Sequence, residues 1–357
     1  MSSNEEIRDV QEPPPGTTLH EGAYCWKCKG TGELCIKRKR IPCSVCKGDK
    51  VIKSEKRRKL FNQPGLIMPE RKWPEGATIP GPDIASDHSA EDLQPKAGEA
   101  VCSLVGKWKI FQKQGGHRFS TDDVTTAWVA CKVIKELQER GVDVSTHLDM
   151  GCGLGSVLMM VGWKYPHLQS TGIEAQKISC ELARRSLRYN GAADRISVVN
   201  GDLRDPVVLP DSPRFPIVTG TPPYFKEGEA ALPSKVDQKA CLFEFRGGVE
   251  EYVKAARRYL TEEGHFVVVE SALGKARFDA AVKEYEMRIV RRWDFIPKEG
   301  KPALFSIADI VKKKEGEAWD GKYDVISITI RNKEGKYTRE YHQLLLDMGF
   351  PPQRDVE

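Results

Sequence analysis

The stretch that decides the fold is His147-Leu148-Asp149-Met150-Gly151-Cys152-Gly153-Leu154-Gly155-Ser156. A short run of strand character leads straight into alternating glycines, and helix-forming residues follow. Glycines at that spacing let the backbone turn sharply and approach a ligand closely at the carboxyl end of a strand. A dinucleotide-binding turn would want Gly or Ala three residues after Gly153, and this chain has Ser156 there. Two residues before the first glycine stands an acid, Asp149.

Strand and helix signals alternate outward from this turn. Upstream, residues 122–140 carry Val124, Ala127, Trp128, Cys131, Ile134 and Leu137 at helical spacing behind Ser120-Thr121-Asp122, and Gly141 is a stop. Downstream, short strands are expected at 170–173, 196–199, 217–219 and 265–269, and helices at 176–190, 249–260 and 276–286. Closing strands are expected at 288–295 and 323–331, while 298–322 has no clear period and reads as a loop. Repeated strand–helix units predict an α/β, Rossmann-like domain over 101–357 with a mainly parallel, seven-stranded sheet. Ahead of it, 1–21 reads as a disordered tail around Pro13-Pro14-Pro15-Gly16, and 22–60 as a small Cys- and Lys-rich module. Residues 61–100, with Pro64, Pro69, Pro74, Pro80, Pro82 and Pro95, read as a linker without regular structure.

Composition sets outer bounds. The 357 residues include 56 Lys plus Arg against 51 Asp plus Glu, a net charge of +5, with 39% hydrophobic and 30% charged residues. Those values suit a globular chain and exclude collagen-like, wholly disordered and membrane-embedded classes. Apolar runs such as 157–161 fall far short of the roughly 18 residues a membrane span needs. The acidic start, Met1-Ser2-Ser3-Asn4-Glu5-Glu6, resembles neither a secretory signal nor a transit peptide, so a cytoplasmic or nuclear location is expected. Of the 10 cysteines, Cys102, Cys131, Cys152, Cys180 and Cys241 lie singly and read as reduced thiols.

An acid two residues before the first glycine is similar to the pattern of S-adenosylmethionine methyltransferases. There the turn receives the amino-acid moiety of the cofactor, and a carboxylate such as Asp149 helps to fix its ammonium group. Two further acids follow in order. Glu174, after Gly172-Ile173, closes the second strand, where a carboxylate accepts both ribose hydroxyls. Asp202, ahead of Leu203, closes the third, where a carboxylate accepts from the adenine amino group while the Leu203 amide meets a ring nitrogen.

After the fourth strand comes Gly220-Thr221-Pro222-Pro223-Tyr224-Phe225. Paired prolines stiffen the backbone, and the aromatic residue behind them offers a face to a flat substrate. This resembles the (Asn/Asp/Ser)-Pro-Pro-(Tyr/Phe/Trp) motif of amino-group methyltransferases, whose first side chain and first proline carbonyl accept hydrogen bonds from the target amine. Ile110-Phe111-Gln112, then Gly116-His117-Arg118-Phe119-Ser120-Thr121-Asp122-Asp123, resemble the lead-in of the bacterial transfer-RNA(Val) adenine-N(6) methyltransferase family. Lys226-Glu227-Gly228, the stretch Tyr252 to Leu260 and Glu263-Gly264-His265-Phe266 extend the likeness over roughly 101–296. The resemblance implies a class I methyltransferase fold. It places Phe119, Asp149, Gly151, Gly153, Glu174, Asp202 and Leu203 around the cofactor, and Thr221, Pro222, Pro223 and Tyr224 against the base. Thr221 departs from the usual Asn, offering one hydroxyl in place of an amide.

Cys25-x2-Cys28 and Cys43-x2-Cys46 stand fourteen residues apart, each followed by Lys and Gly. Two such knuckles suit tetrahedral, structural Zn2+, and they resemble the repeats of the DnaJ cysteine-rich domain, with Lys50 where that pattern has Gly. Lys37-Arg38-Lys39-Arg40 and Lys56-Arg57-Arg58-Lys59 concentrate positive charge here, and Tyr24 and Trp26 add stacking surface. The expected partner is therefore RNA (transfer, ribosomal or small nuclear), with DNA a further nucleic acid the same chemistry admits. The expected reaction is methyl transfer to the N(6) amino group of adenine in RNA. The alternatives are a protein glutamine methyltransferase and a nucleic-acid-binding protein with a degenerate catalytic domain.

Overall fold

The computed structural model describes residues 65–357 apart from 86, 115, 117, 210–212, 225–243 and 245–246, together with the backbone of four short strands nearer the amino terminus. The chain divides into two compact units, Met1–Gln63 and Pro64–Glu357.

In the first unit the strands are β1 (Gly22–Tyr24), β2 (Glu33–Ile36), β3 (Lys39–Pro42) and β4 (Val51–Lys53). β1 pairs antiparallel with β4, and β2 antiparallel with β3. Cys25, Cys28, Cys43 and Cys46 lie outside the described residues, as does the expected tail 1–21. Among the described residues no cluster of His, Cys, Asp or Glu forms a metal site, and no helix is long and apolar enough to cross a membrane.

The second unit opens with a three-stranded sheet of β5 (Leu66–Ile67), β6 (Glu99–Ser103) and β7 (Lys109–Lys113), in the order β5-β6-β7. The stretch expected as a linker is thus anchored from residue 65, and its first strand pairs with β6. Its prolines deny the chain ladder donors, so it stays mostly irregular, but side chains bind it down. Lys109 pairs with Glu70 at 2.6 Å, His88 stacks on Tyr189 at 3.8 Å, and Arg185 donates to the carbonyls of Asp92 and Gln94 and pairs with Glu99.

The remaining elements are α1 (Thr121–Glu139), β8 (Thr146–Met150), α2 (Ser156–Lys164), β9 (Gln169–Glu174), α3 (Lys177–Tyr189), β10 (Ile196–Asn200) and β11 (Phe215–Gly220). They continue with α4 (Val249–Tyr259), β12 (Leu260–Ser271), α5 (Lys275–Glu284), β13 (Met287–Ile296), β14 (Phe305–Lys312), β15 (Asp324–Thr329) and α6 (Arg339–Asp347). One sheet runs β10-β9-β8-β11-β12-β14-β13-β15. β14 alone is reversed, antiparallel to both neighbours, and β13 pairs parallel with β15.

The sheet therefore has eight strands where seven were expected, and the extra one lies inside the supposed loop 298–322. Every residue of β14 is buried, because it sits in the interior of the sheet with both faces covered. Such a strand has no polar face and shows no alternation. Its polar residues find partners in the fold: Asp309 Oδ1 meets His265 Nδ1 at 2.6 Å, with the Arg291 guanidinium 3.5 Å from Oδ2, Ser306 donates to Asp294 at 2.6 Å, and Lys312 pairs with Glu262 at 2.6 Å. Elsewhere alternation divides the core in two. Val267 and Val269 pack with α1, α2, α3 and α6, whereas Phe266 and Val268 pack with α4 and α5. The parallel strands β8 to β11 thus end together beside the glycine turn.

Candidate active site

The turn after β8 needs its glycines. Gly151, Gly153 and Gly155 have φ of +62°, +56° and +80°. A Cβ on Gly151 would lie 2.0 Å from the Tyr252 hydroxyl, so no side chain fits between turn and α4. Glu174, at the end of β9, ties the turn down: Oε2 accepts from the Gly153 amide at 2.9 Å and Oε1 from the Gln176 amide at 2.6 Å. The Gly153 amide is thereby committed to a carboxylate, which is a poor arrangement for receiving a phosphate.

Asp149 lies beneath the turn rather than on the cleft wall. Its Oδ2 accepts from the Leu158 amide at 3.1 Å, and its Oδ1 from the Thr219 hydroxyl at 2.7 Å. The Thr219 hydroxyl is 2.9 Å from His147 Nε2, and His147 Nδ1 is 3.3 Å from Ser170 Oγ. This buried relay crosses β9, β8 and β11. Burial pushes the Asp149 carboxyl up to about 7, opposed by its two hydrogen bonds, and burial holds His147 down to about 3, hence neutral.

A second buried acid, Asp123, projects from the first turn of α1. It accepts from the Ser120 amide at 2.8 Å and from the Ser156 hydroxyl at 2.7 Å, joining α1 to the start of α2. Burial, then the neighbouring Asp122 charge, pushes its carboxyl up to about 7. Asp122 in turn accepts a hydrogen bond from the Tyr224 hydroxyl at 2.8 Å, tying the Thr221-Pro222-Pro223-Tyr224 turn to α1.

These pieces enclose one cleft. Of the expected cofactor residues, Phe119, Gly151, Gly153, Glu174, Asp202 and Leu203 line it, and Thr221 and Pro223 line it from the end of β11. Asp149 supports the cleft from below. Pro222 is buried, and Tyr224 stands half-buried behind Pro223, packed against the core. The Asp202 carboxylate is gripped by the Arg204 guanidinium, with Nη2 to Oδ2 at 2.6 Å. Asp123, Ser156, Ile173, Gln176 and Tyr252 also line the cleft and were not singled out from sequence. Asp123 reads along the chain as a helix-capping acid; its place in the wall depends on α1 packing against α2, where the Ser156 hydroxyl meets it.

The charge of the lining is decisive. It contains Asp123, Glu174 and Asp202 and, among the described residues, no Lys or Arg, with Asp202 paired to Arg204 outside the lining and Asp123 charged only in part near neutrality. Such a cleft disfavours a pyrophosphate and suits a cation. Glycine turn, acids at the ends of successive parallel strands and one reversed strand near the far edge together define a Rossmann-like methyltransferase fold.

Residues 118–287 match the family model described as Methyltransferase small domain. The chain is 33% identical over 81 residues to the tRNA1(Val) (adenine(37)-N6)-methyltransferase of Porphyromonas gingivalis, covering 22% of this chain and 32% of that protein. It is 28% identical over 170 residues to the ribosomal protein uL3 glutamine methyltransferase of Bradyrhizobium diazoefficiens, covering 46% of this chain and 51% of the relative. The chain thus spans between a third and about half of the length of these relatives. Among solved structures, a "predicted O-methyltransferase" from Agrobacterium tumefaciens matches with a TM-score of 0.44 at 18% identity, over 59% of this chain and 93% of that one.

Proposed function

We propose that this protein is an S-adenosylmethionine-dependent methyltransferase acting on the N(6) amino group of an adenine in RNA. The observation that carries the reading is a cleft whose ionisable lining groups, among the described residues, are the acids Asp123, Glu174 and Asp202, with no Lys or Arg, bordered on one side by Thr221 and Pro223. S-adenosylmethionine is cationic at its sulfonium and ammonium groups and lacks phosphate, so its charge is complementary to that lining. When bound, it supplies an electrophilic methyl group.

The residues of the chain then have assignable tasks. Gly151 and Gly153 let the backbone come close, Glu174 faces the ribose hydroxyls, and Asp202 with the Leu203 amide faces the adenine ring of the cofactor. The Thr221 hydroxyl and the Thr221–Pro222 backbone accept hydrogen bonds from the target amine. An adenine amine attacks while neutral, so holding its nitrogen in line supplies much of the rate and no strong base is needed to start. A structural zinc held by Cys25, Cys28, Cys43 and Cys46, with the basic runs beside it, completes the proposal as an RNA-holding arm.

The test is incubation of the full chain with total RNA and labelled cofactor, followed by digestion to nucleosides. N(6)-methyladenosine label, lost in Asp202→Ala, is the expected result; RNA without label overturns the reading. A second reading, methylation of a protein glutamine, is favoured by the likeness to the uL3 glutamine methyltransferase. Label in a protein instead of RNA would establish it.

A further inference from the structure

Phe119 lines two cavities. The first is the cofactor cleft; the second is a groove walled by Arg71 and Lys72, the start of α1, Tyr337 and the segment from Phe350 to Asp355. Its carboxyl-terminal wall lies beyond the 118–287 match, so the groove is built partly from what this chain adds to that domain.

Among the described residues, the cations of the groove wall have no ion-pair partner. The Arg71 guanidinium, largely buried, sits 4.1 Å over the Phe350 ring and donates to the Leu104 carbonyl, and no carboxylate pairs with it among the described residues. Lys72 and Arg354 are exposed and likewise have no ion-pair partner among the described residues. Elsewhere in this unit the buried Lys109 and Arg185 pair with Glu70 and Glu99, and Lys107 pairs with Asp83. Asp355 is the one acid in the groove wall, and it is exposed. A half-buried guanidinium without a carboxylate is expensive unless an anion completes it.

Flat surfaces alternate with these charges. Phe119 is half-buried and offers a ring to both cavities, while Tyr337 is held in the groove wall, stacked on Tyr341 at 5.6 Å with the Arg331 guanidinium 4.0 Å from its ring. Cations interleaved with aromatic faces suit single-stranded nucleic acid, whose phosphates need neutralising and whose bases stack without regard to sequence. Duplex would need a broad basic face, which a groove of this kind does not offer.

We infer that this groove seats the backbone of single-stranded RNA and delivers one base past Phe119 into the cofactor cleft. The inference rests on the RNA reading above and goes further by naming the surface that holds the strand.

The experiment uses the full chain and a fluorescent single-stranded RNA of about 15 nucleotides, titrated by anisotropy between about 50 and 200 mM salt. In Lys72→Glu/Arg354→Glu the slope of log affinity against log salt should fall by at least about 1.4, with RNA binding weakened at least about tenfold at intermediate salt. Calorimetry should show unchanged affinity for S-adenosylmethionine, which establishes that the fold is intact. Wild-type affinity, slope and RNA labelling in the double variant would overturn the groove while leaving the RNA reading standing. If the wild-type chain binds the cofactor but neither binds nor labels RNA, the RNA reading falls and the groove falls with it.

Discussion

Asp123 offers a direct way to test whether the cleft is built for a cation. In the ligand-free protein its carboxyl is pushed up to about 7, so it is largely protonated in mildly acidic solution. A cationic ligand gains from the ionised form and must drive off the proton to obtain it. With a single carboxyl titrating at about 7, the ionised fraction rises from about 3% at pH 5.5 to about 50% at pH 7. Affinity for S-adenosylmethionine should therefore tighten about 15-fold across that window, with at most about a further twofold gain above it. The window lies below the free α-amino range of about 7.7 to 8.0, so loss of charge from the ligand does not interfere. The assay is calorimetric titration of the full chain in buffers of differing ionisation enthalpy, which also counts protons released on binding. Asp123→Asn keeps the shape, removes the titrating charge and should flatten the profile while weakening binding near neutrality. Constant affinity from pH 5.5 to about 7, with no proton release, would refute the cation-cleft argument.

Other consequences follow from the same geometry. Gly151→Ala combines a positive φ with a Cβ 2.0 Å from the Tyr252 hydroxyl, so urea unfolding should show a loss of about 1–3 kcal/mol and calorimetry a loss of cofactor binding. His147→Ala removes a buried neutral partner of Thr219 and opens a void, which should cost about 2–4 kcal/mol in the same unfolding assay. Because Asp123 and Asp149 both titrate above their ordinary value of 3.8, the ligand-free protein should lose stability as pH rises from about 4 to about 7 and then level off, read as a falling urea midpoint. Elemental analysis should find one zinc per chain in the purified protein and none in Cys25→Ser/Cys28→Ser.

The approach to the site was readable along the chain because its parts are local. A strand, a glycine turn and a helix occupy consecutive residues, and Glu174 and Asp202 each stand at a strand end that hydrophobic periodicity marks. The Pro222-Pro223 pair announces its own rigidity. β14 escaped because both its faces are buried, and Ser306, Asp309 and Lys312 broke its apolar run. The 65–100 stretch escaped because its proline content signals irregular backbone, which it has, while its anchors are single side chains reaching residues as distant as Arg185 and Tyr189.

Sequence by itself determined the strand–helix alternation, the conformation of the turn at Gly151 and the order of the acids along the chain, since each depends on neighbouring residues and short-range sterics. Tertiary structure alone decided which acids line the cleft. It sent Asp149 beneath the turn, where Thr219 and the Leu158 amide hold it, and it brought Asp123 from a helix cap into the cleft wall. A side chain's burial and partners depend on where elements distant in sequence cross, and no local pattern records that crossing.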